Sequence, residues 1–262
     1  MLSKHYAYLM PKMLQKDYWE EQWYSRNLMK QIANAKKKAW WPILERMTNN
    51  IANNEIILEA GCGMGQFVYV LDEMGKKIIG IDIAEKAILN CKDLYPKLNF
   101  IISDINEIPL PNNCVKLLIS LGVIEHFEEG PDKSLKEANR VLKHGGTLFL
   151  TFPYYNIVRR IKSPIRRYKN RSKSKDDYVF YQYAFSLNHI AKMLDEIGLD
   201  VQSSFPHHSH IFLKDEIPLF KYLKNPFRKQ SDSATYKLWG KRIDKISKHI
   251  CSHMLLVTAK KR

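Results

Sequence analysis

The sequence predicts an α/β fold: a doubly wound, mainly parallel seven-stranded sheet flanked by helices. Three observations lead there. From residue 56 onward, short apolar runs alternate with helix-like stretches, and strands separated by helices pair in parallel through right-handed crossovers. Gly61, Gly63 and Gly65 follow the first apolar run at alternate positions. Glu59, Asp82 and Asp104 stand at or just beyond the ends of the first three runs, where open sheets of this kind bind ligands.

The elements follow in order. Residues 12–47 read as helical: Tyr18, Trp19, Trp23 and Tyr24 precede Met29, Ile32, Trp40, Trp41, Ile43, Leu44 and Met47. Pro42 breaks or begins a helix there. A polar turn over 49–54 separates this N-terminal helical cap, residues 1–50, from a domain over 51–262. In that domain strand 56–59 leads to helix 66–74, and strand 77–82 to helix 85–94. Strand 99–102 precedes a loop bounded by Pro109 and Pro111, strand 115–120 leads to helix 132–142, and strand 147–152 ends at Pro153. The alternation then stops. An insertion over about 154–183 contains the stretch 156–175, with nine basic side chains and no acid. Ser186 as N-cap and Gly198 as the stop bound the next helix. Residues 199–205 and 253–259 read as the last two strands, and 206–250 as a second insertion, helical in part.

Composition narrows the partners. With 45% hydrophobic residues the chain can build a large core, and no apolar run is long enough to span a bilayer. Met1 to Tyr6 lack the apolar core of a signal peptide, so the expected location is cytoplasmic, extending to the inner face of the membrane. Cys62, Cys91, Cys114 and Cys251 are scattered without metal-ligand spacing and read as reduced thiols. The net charge of +15 is unevenly spread. Residues 51–150 hold 10 basic and 14 acidic side chains, whereas residues 151–262 hold 23 and 9. The glycine-loop region is thus mildly acidic and the C-terminal part draws anionic partners.

The loop chemistry selects a cofactor class. Glycines let backbone approach a ligand closely, and an acid ending the second strand accepts hydrogen bonds from ribose hydroxyls. A dinucleotide fingerprint needs glycine where Gln66 stands. Glu59, two residues before Gly61, repels a pyrophosphate and suits a cationic ligand.

Glu59, Gly61, Gly63, Gly65 and Asp82 together resemble the first two motifs of the class I S-adenosylmethionine-dependent methyltransferases. Ser103-Asp104-Ile105, the segment Leu121 to Phe127, and Ala138 to Pro153 resemble later elements of that family, so the likeness covers roughly residues 55–155. It implies a Rossmann-like methyltransferase fold, with N-terminal helices and basic insertions after strands five and six, in which the last strand runs antiparallel between those two. It implies S-adenosyl-L-methionine as cofactor: Glu59, Gly61, Cys62 and Gly63 beside its amino-acid part, Asp82 and Ile83 at ribose and adenine, Asp104 and Ile105 at the adenine amino group, and the Leu121 carbonyl as a further contact.

Methyl transfer from a sulfonium needs positioning and water exclusion more than covalent chemistry. His126 is the candidate general base for an oxygen acceptor. Trp23, Tyr154 and Tyr155 are the candidate acceptor-pocket residues. No metal is expected, because the His207, His208, His210 tract has no second ligand group at sensible spacing. The expected acceptor is a small molecule, anionic or linked to a lipid or carrier, such as a glycan or isoprenoid-type compound. Ile157, Val158, Ile161 and Ile165 recur at helical spacing among arginines and lysines, which suggests peripheral membrane contact through 156–175, with Pro164 limiting the helix. No obligate protein partner is evident. Two other readings compete: an RNA methyltransferase and a non-catalytic cofactor-binding protein. Residues 120–127 lack the Asn/Asp-Pro-Pro-aromatic sequence of base-amino methylation, and nucleic acid is not favoured.

Overall fold

The structure is a computed structural model and describes residues 7–11, 18–19, 23, 27–171, 177–209 and 250–262. Most of the aromatic stretch before residue 27, the 206–250 insertion beyond Ser209, and His210 lie outside the described residues.

The main sheet has the order β4-β3-β2-β5-β6-β9-β8. Its strands are β2 (Ile56–Ala60), β3 (Ile78–Asp82), β4 (Asn99–Ile102), β5 (Val115–Leu121), β6 (Leu142–Pro153), β8 (Leu199–His207) and β9 (Met254–Lys261). Neighbours from β4 to β6 pair in parallel, and β9 runs antiparallel to both β6 and β8. Strand order reverses between β2 and β5, so the crevice beyond their carboxyl ends is the natural ligand site.

Strand side chains alternate between two cores, as a period of two requires. On one face Leu58, Leu118, Leu148, Leu150 and Val257 pack with Leu135, Ala138 and Val141 of α5 (Asp132–Val141) and with Ile190 and Leu194 of α7 (Leu187–Glu196). On the other, Ile57, Leu117, Ile119, Phe149 and Leu256 pack with Leu44 of α2 (Trp41–Asn49), Phe67 and Leu71 of α3 (Gln66–Asp72) and Ile88 of α4 (Glu85–Leu94). Each large apolar side chain so buried contributes on the order of 2–3 kcal/mol. This double-sided burial is why the strands read as nearly continuous apolar runs.

Helix ends follow their local chemistry. Asn27 caps α1 (Leu28–Ala35) by accepting from the Lys30 amide at 2.9 Å, and Ser186 caps α7 by accepting from the His189 amide at 3.2 Å. Pro42 lies in the first turn of α2 and begins that helix rather than breaking it.

Two findings depart from expectation. The N-terminal region is not wholly helical: β1 (Ala7–Pro11) pairs antiparallel with β7 (Tyr178–Tyr183) in a separate two-stranded sheet. Five residues ending in proline carry no strand signature when the partner lies so far along the chain. In addition, α6 (Ile157–Arg171) runs through Pro164. Pro164 is exposed, so the carbonyl it leaves without an amide partner can be hydrated instead.

Candidate active site

The glycine loop is pinned by backbone bonds before any ligand enters. Gly61 and Cys62 amides both donate to the Ile81 carbonyl, at 2.8 and 2.9 Å. The Asp82 carboxylate completes the frame, accepting from the Gly63 amide at 2.7 Å and the Ala84 amide at 2.9 Å. Gly61 has φ +81°, and a Cβ there would lie 2.4 Å from a Val123 methyl. Gly63 has φ +53°, and its Cβ would lie 2.6 Å from the Trp23 ring. Only glycine fits either place.

A cavity of about 410 Å³ opens at the strand switch point. That volume lies within the roughly 300–1,000 Å³ range of small-molecule sites. Its wall contains Gly61, Asp82, Ile83, Asp104, Ile105 and Leu121 from the strand ends and loops. His126 and Phe127 close one side, and Tyr18, Trp19, Trp23 and Tyr181 form an aromatic roof. No lysine or arginine stands among these described lining residues. Acids without a compensating cation disfavour a phosphate ligand and favour a cationic one.

Three expected cofactor residues lie off this wall. Glu59 and Cys62 are buried beneath the loop, and Gly63 is covered by the Trp23 ring. One Glu59 oxygen accepts from the Val68 amide, and Oε2 has no hydrogen-bond partner. Burial, with the nearby Asp82 charge adding to it, holds the Glu59 carboxyl well above its usual range. An orphaned buried carboxyl oxygen under a glycine loop fits a ligand that brings positive charge or a donor. Burial also pushes the Cys62 thiol up and the Cys91 thiol to about 12, so neither acts as a thiolate nucleophile.

Tyr154 and Tyr155 are placed elsewhere than expected. The Tyr154 amide donates to the His253 carbonyl at 2.9 Å, and the Tyr155 amide to the Phe185 carbonyl at 2.8 Å. They tie the end of β6 to its neighbours and do not line the cavity. Their position after a strand end fits either role, and only the path of the following chain decides. Of the histidine tract, His207 and His208 meet at 3.1 Å through their Nδ1 atoms. Among the described residues no group of three or more His, Cys, Asp or Glu side chains is arranged to hold a metal.

His126 sits in the short 3₁₀ turn Ile124–His126 that follows β5. Its Nδ1 lies 2.8 Å from the Tyr181 carbonyl. A carbonyl only accepts, so Nδ1 carries the proton and Nε2 keeps its lone pair. Burial holds the imidazole down to about 4, with the Tyr181 carbonyl opposing in part. His126 is therefore neutral near pH 7. The Trp19 ring meets it edge-on, with centroids 4.6 Å apart, and Tyr18 donates its hydroxyl hydrogen bond to the Tyr181 hydroxyl at 3.1 Å. Tyr18, Trp19 and Tyr181 are site residues without a signal in the sequence pattern. The strand pairing of β7 and the chain before residue 27 bring them in.

Glu125 is buried beside this histidine, with Oε1 4.0 Å from His126 Nε2 and Oε2 unpartnered. Burial pushes its carboxyl from 4.5 up to about 8. The folded state therefore binds more protons than the unfolded chain between about pH 5 and 8, and stability falls as pH rises through that window. His126 acts with the opposite sign at lower pH, since the unfolded chain protonates first. Glu125→Gln is expected to remove roughly 2 kcal/mol or more of the stability lost between about pH 5 and 8. Urea unfolding across that range reads it, and equal slopes in both proteins would show Glu125 ionised in the fold.

Residues 58–150 match the family model described as a methyltransferase domain. The match runs from the middle of β2 through most of β6 and so includes the glycine loop, Asp82, Asp104 and His126. The chain carries a class I S-adenosylmethionine-dependent methyltransferase domain. A probable S-adenosylmethionine-dependent methyltransferase of Mycolicibacterium smegmatis is 28% identical over 111 residues, 42% of this chain and 42% of that protein. A malonyl-(acyl-carrier protein) O-methyltransferase of Serratia marcescens is 28% identical over 97 residues, 37% of this chain and 38% of that protein. The chain thus spans about two fifths of the length of these curated relatives. A crystal structure of a SAM-dependent methyltransferase from Archaeoglobus fulgidus superposes with TM-score 0.56 at 18% identity, over 94% of this chain and 100% of that one. That likeness extends the methyltransferase fold to β8 and β9, beyond the matched segment. The family's cofactor, S-adenosylmethionine, agrees with the acid-lined cavity and with the orphaned oxygen of Glu59.

Proposed function

We propose that this chain transfers a methyl group from S-adenosylmethionine to a hydroxyl oxygen of a small-molecule or carrier-linked, anionic acceptor. The observation that carries this reading is His126: a neutral imidazole with its Nδ1 proton engaged and its Nε2 lone pair on a ring lining the cavity. Asp82 and Asp104 would hold the ribose and adenine ends, Ile83 and Ile105 would pack the base, and Glu59 would offset positive charge from below the loop. The cofactor supplies an activated methyl on a sulfonium, so no covalent enzyme intermediate is needed. His126 Nε2 takes the acceptor's hydroxyl proton while the acceptor oxygen forms its bond to carbon. The Tyr181 carbonyl holds the imidazole in the required tautomer and stabilises the imidazolium that results. Tyr18, Trp19 and Trp23 cover the cavity and keep water from competing.

Support for an oxygen acceptor on a carrier comes from the name of the Serratia relative. Support for an anionic acceptor comes from the 23 basic against 9 acidic residues after position 150. Release of S-adenosylhomocysteine with hydroxyl-bearing, carrier- or lipid-linked anionic acceptors is the test, with transfer RNA as the contrast. Turnover is expected on the former. Turnover on RNA alone, falling steeply with added salt, would replace this reading with the nucleic-acid one.

A further inference from the structure

Helix α6 is built inside out. Its inward face carries Asn156 at the cap, Arg159 and Ser163, all buried, with Arg159 0% exposed. Its outward face carries Ile157, Ile161 and Ile165, at 50%, 73% and 60% exposure. These three recur every four residues and so form one stripe along the helix. The orientation is locked by polar bonds. Asn156 accepts from the Arg159 amide at 2.9 Å and donates to the Ser252 carbonyl at 2.7 Å. Arg159 Nη1 donates to the Tyr154 carbonyl at 2.7 Å and the His253 carbonyl at 3.0 Å. Turning the helix to bury its isoleucines would strand a buried guanidinium and its carbonyl partners, which costs far more than the aliphatic exposure.

The stripe is edged by cations. Besides the inward Arg159, the helix sequence holds six Lys or Arg and no acid, and Arg160 is exposed beside Ile161. Charge decides what covers such a face. Residues 210–249 of the same chain carry ten basic and four acidic side chains, so they are repelled rather than attracted. A second copy of α6 is repelled for the same reason. Nucleic acid matches the charge, but it is bound through stacking rings and cations and gains nothing from three aliphatic side chains. An anionic bilayer satisfies both halves of the face: acyl chains take the isoleucines and headgroups take the arginines and lysines.

We infer that α6 docks on an anionic membrane surface, with Ile157, Ile161 and Ile165 entering the boundary between headgroups and acyl chains. The helix starts four residues after β6 ends, on the carboxyl-end side of the sheet where the cavity opens. Docking therefore holds the domain at the membrane by a helix that starts on the cavity's side of the sheet. Resting on the proposed transfer activity, this makes a lipid-anchored anionic compound the acceptor class, whereas the docking itself does not depend on turnover.

The test is flotation of the full chain with phosphatidylcholine vesicles, with and without phosphatidylglycerol. The wild type is expected to float with the anionic vesicles and not with the neutral ones. Substitution of Ile157, Ile161 and Ile165 together by Gln, at exposed positions in a helix-compatible residue, is expected to lower the partition coefficient at least about tenfold. The thermal midpoint and the S-adenosylmethionine affinity should not move. A wild type that stays unbound to anionic vesicles would overturn the inference. So would a triple variant that floats equally well, which would assign binding to charge elsewhere. A lipid-free dimer dissolved by the substitutions, or RNA affinity abolished by them, would give the face to another occupant. Unchanged flotation in a His126→Ala protein separates failure of docking from failure of the catalytic reading.

Discussion

Asp82→Ala is expected to weaken S-adenosylmethionine binding about a hundredfold, equivalent to ~2.7 kcal/mol. Asp82 has two tasks that the substitution removes together. It lines the cavity at the end of β3, where ribose hydroxyls would be held. It also accepts from the amides of Gly63 and Ala84, at 2.7 and 2.9 Å, and so fixes the glycine loop against the start of α4. Two amides deprived of a buried acceptor cost about 1–3 kcal/mol each where water cannot reach them. A fall in unfolding free energy of about 2–4 kcal/mol should accompany the loss of affinity. Calorimetric titration reads the first and urea unfolding the second. Asp82→Asn keeps one acceptor oxygen, so it should lie between the two proteins in both measurements. Affinity retained within about threefold in the alanine variant would mean that the cofactor sits elsewhere.

His126→Ala is expected to lower kcat by about 10²–10⁴ while leaving S-adenosylmethionine affinity within about threefold of the wild type. The separation of the two effects is the diagnostic. His126 is held by the Tyr181 carbonyl and the Trp19 edge and does not pin the glycine loop. Its removal should therefore spare the cofactor. His126→Asn, which can still donate towards Tyr181 without offering a base, should be as slow as the alanine variant. The pH profile gives a second reading. Burial holds this imidazole down to about 4, so the wild-type rate should stay level through the range where an ordinary histidine protonates and fall only near pH 4. A rate limb near the ordinary histidine value of 6.5, or near-normal turnover in His126→Ala, would return this residue to a purely structural role.

The two charge regimes of the molecule are spatially distinct, and this bears on function. The cavity wall holds acids without a lysine or arginine, while the isoleucine-bearing helix beyond β6 carries only cations among its charged residues. Acids lining the cavity suit a sulfonium cofactor. Cations outside it suit an anionic acceptor or the surface on which it is presented. One continuous basic groove through the site would have favoured a polynucleotide instead.

The amino-acid sequence by itself determined the sheet and half of the site. Apolar runs at 56–59, 77–82 and 115–120 are long enough and apolar enough to be buried on both faces, and the helices between them leave parallel pairing as the outcome. Gly61, Asp82, Ile83, Asp104, Ile105 and Leu121 line the cavity because they end strands or follow them within three residues, and a strand end is a local feature. Tertiary structure alone decided the rest. Tyr18 and Tyr181 share a hydrogen bond across 163 residues of sequence, and the carbonyl that sets the His126 tautomer belongs to a strand paired with Ala7–Pro11. Helix α6 has an amphipathic pattern whose spacing is equally compatible with an isoleucine face turned into the core or out to a membrane. The buried bonds of Arg159 and Asn156 decide for the outward isoleucine face. Periodicity records how a segment divides into two faces, but which face is buried depends on the partners that the folded chain brings against it.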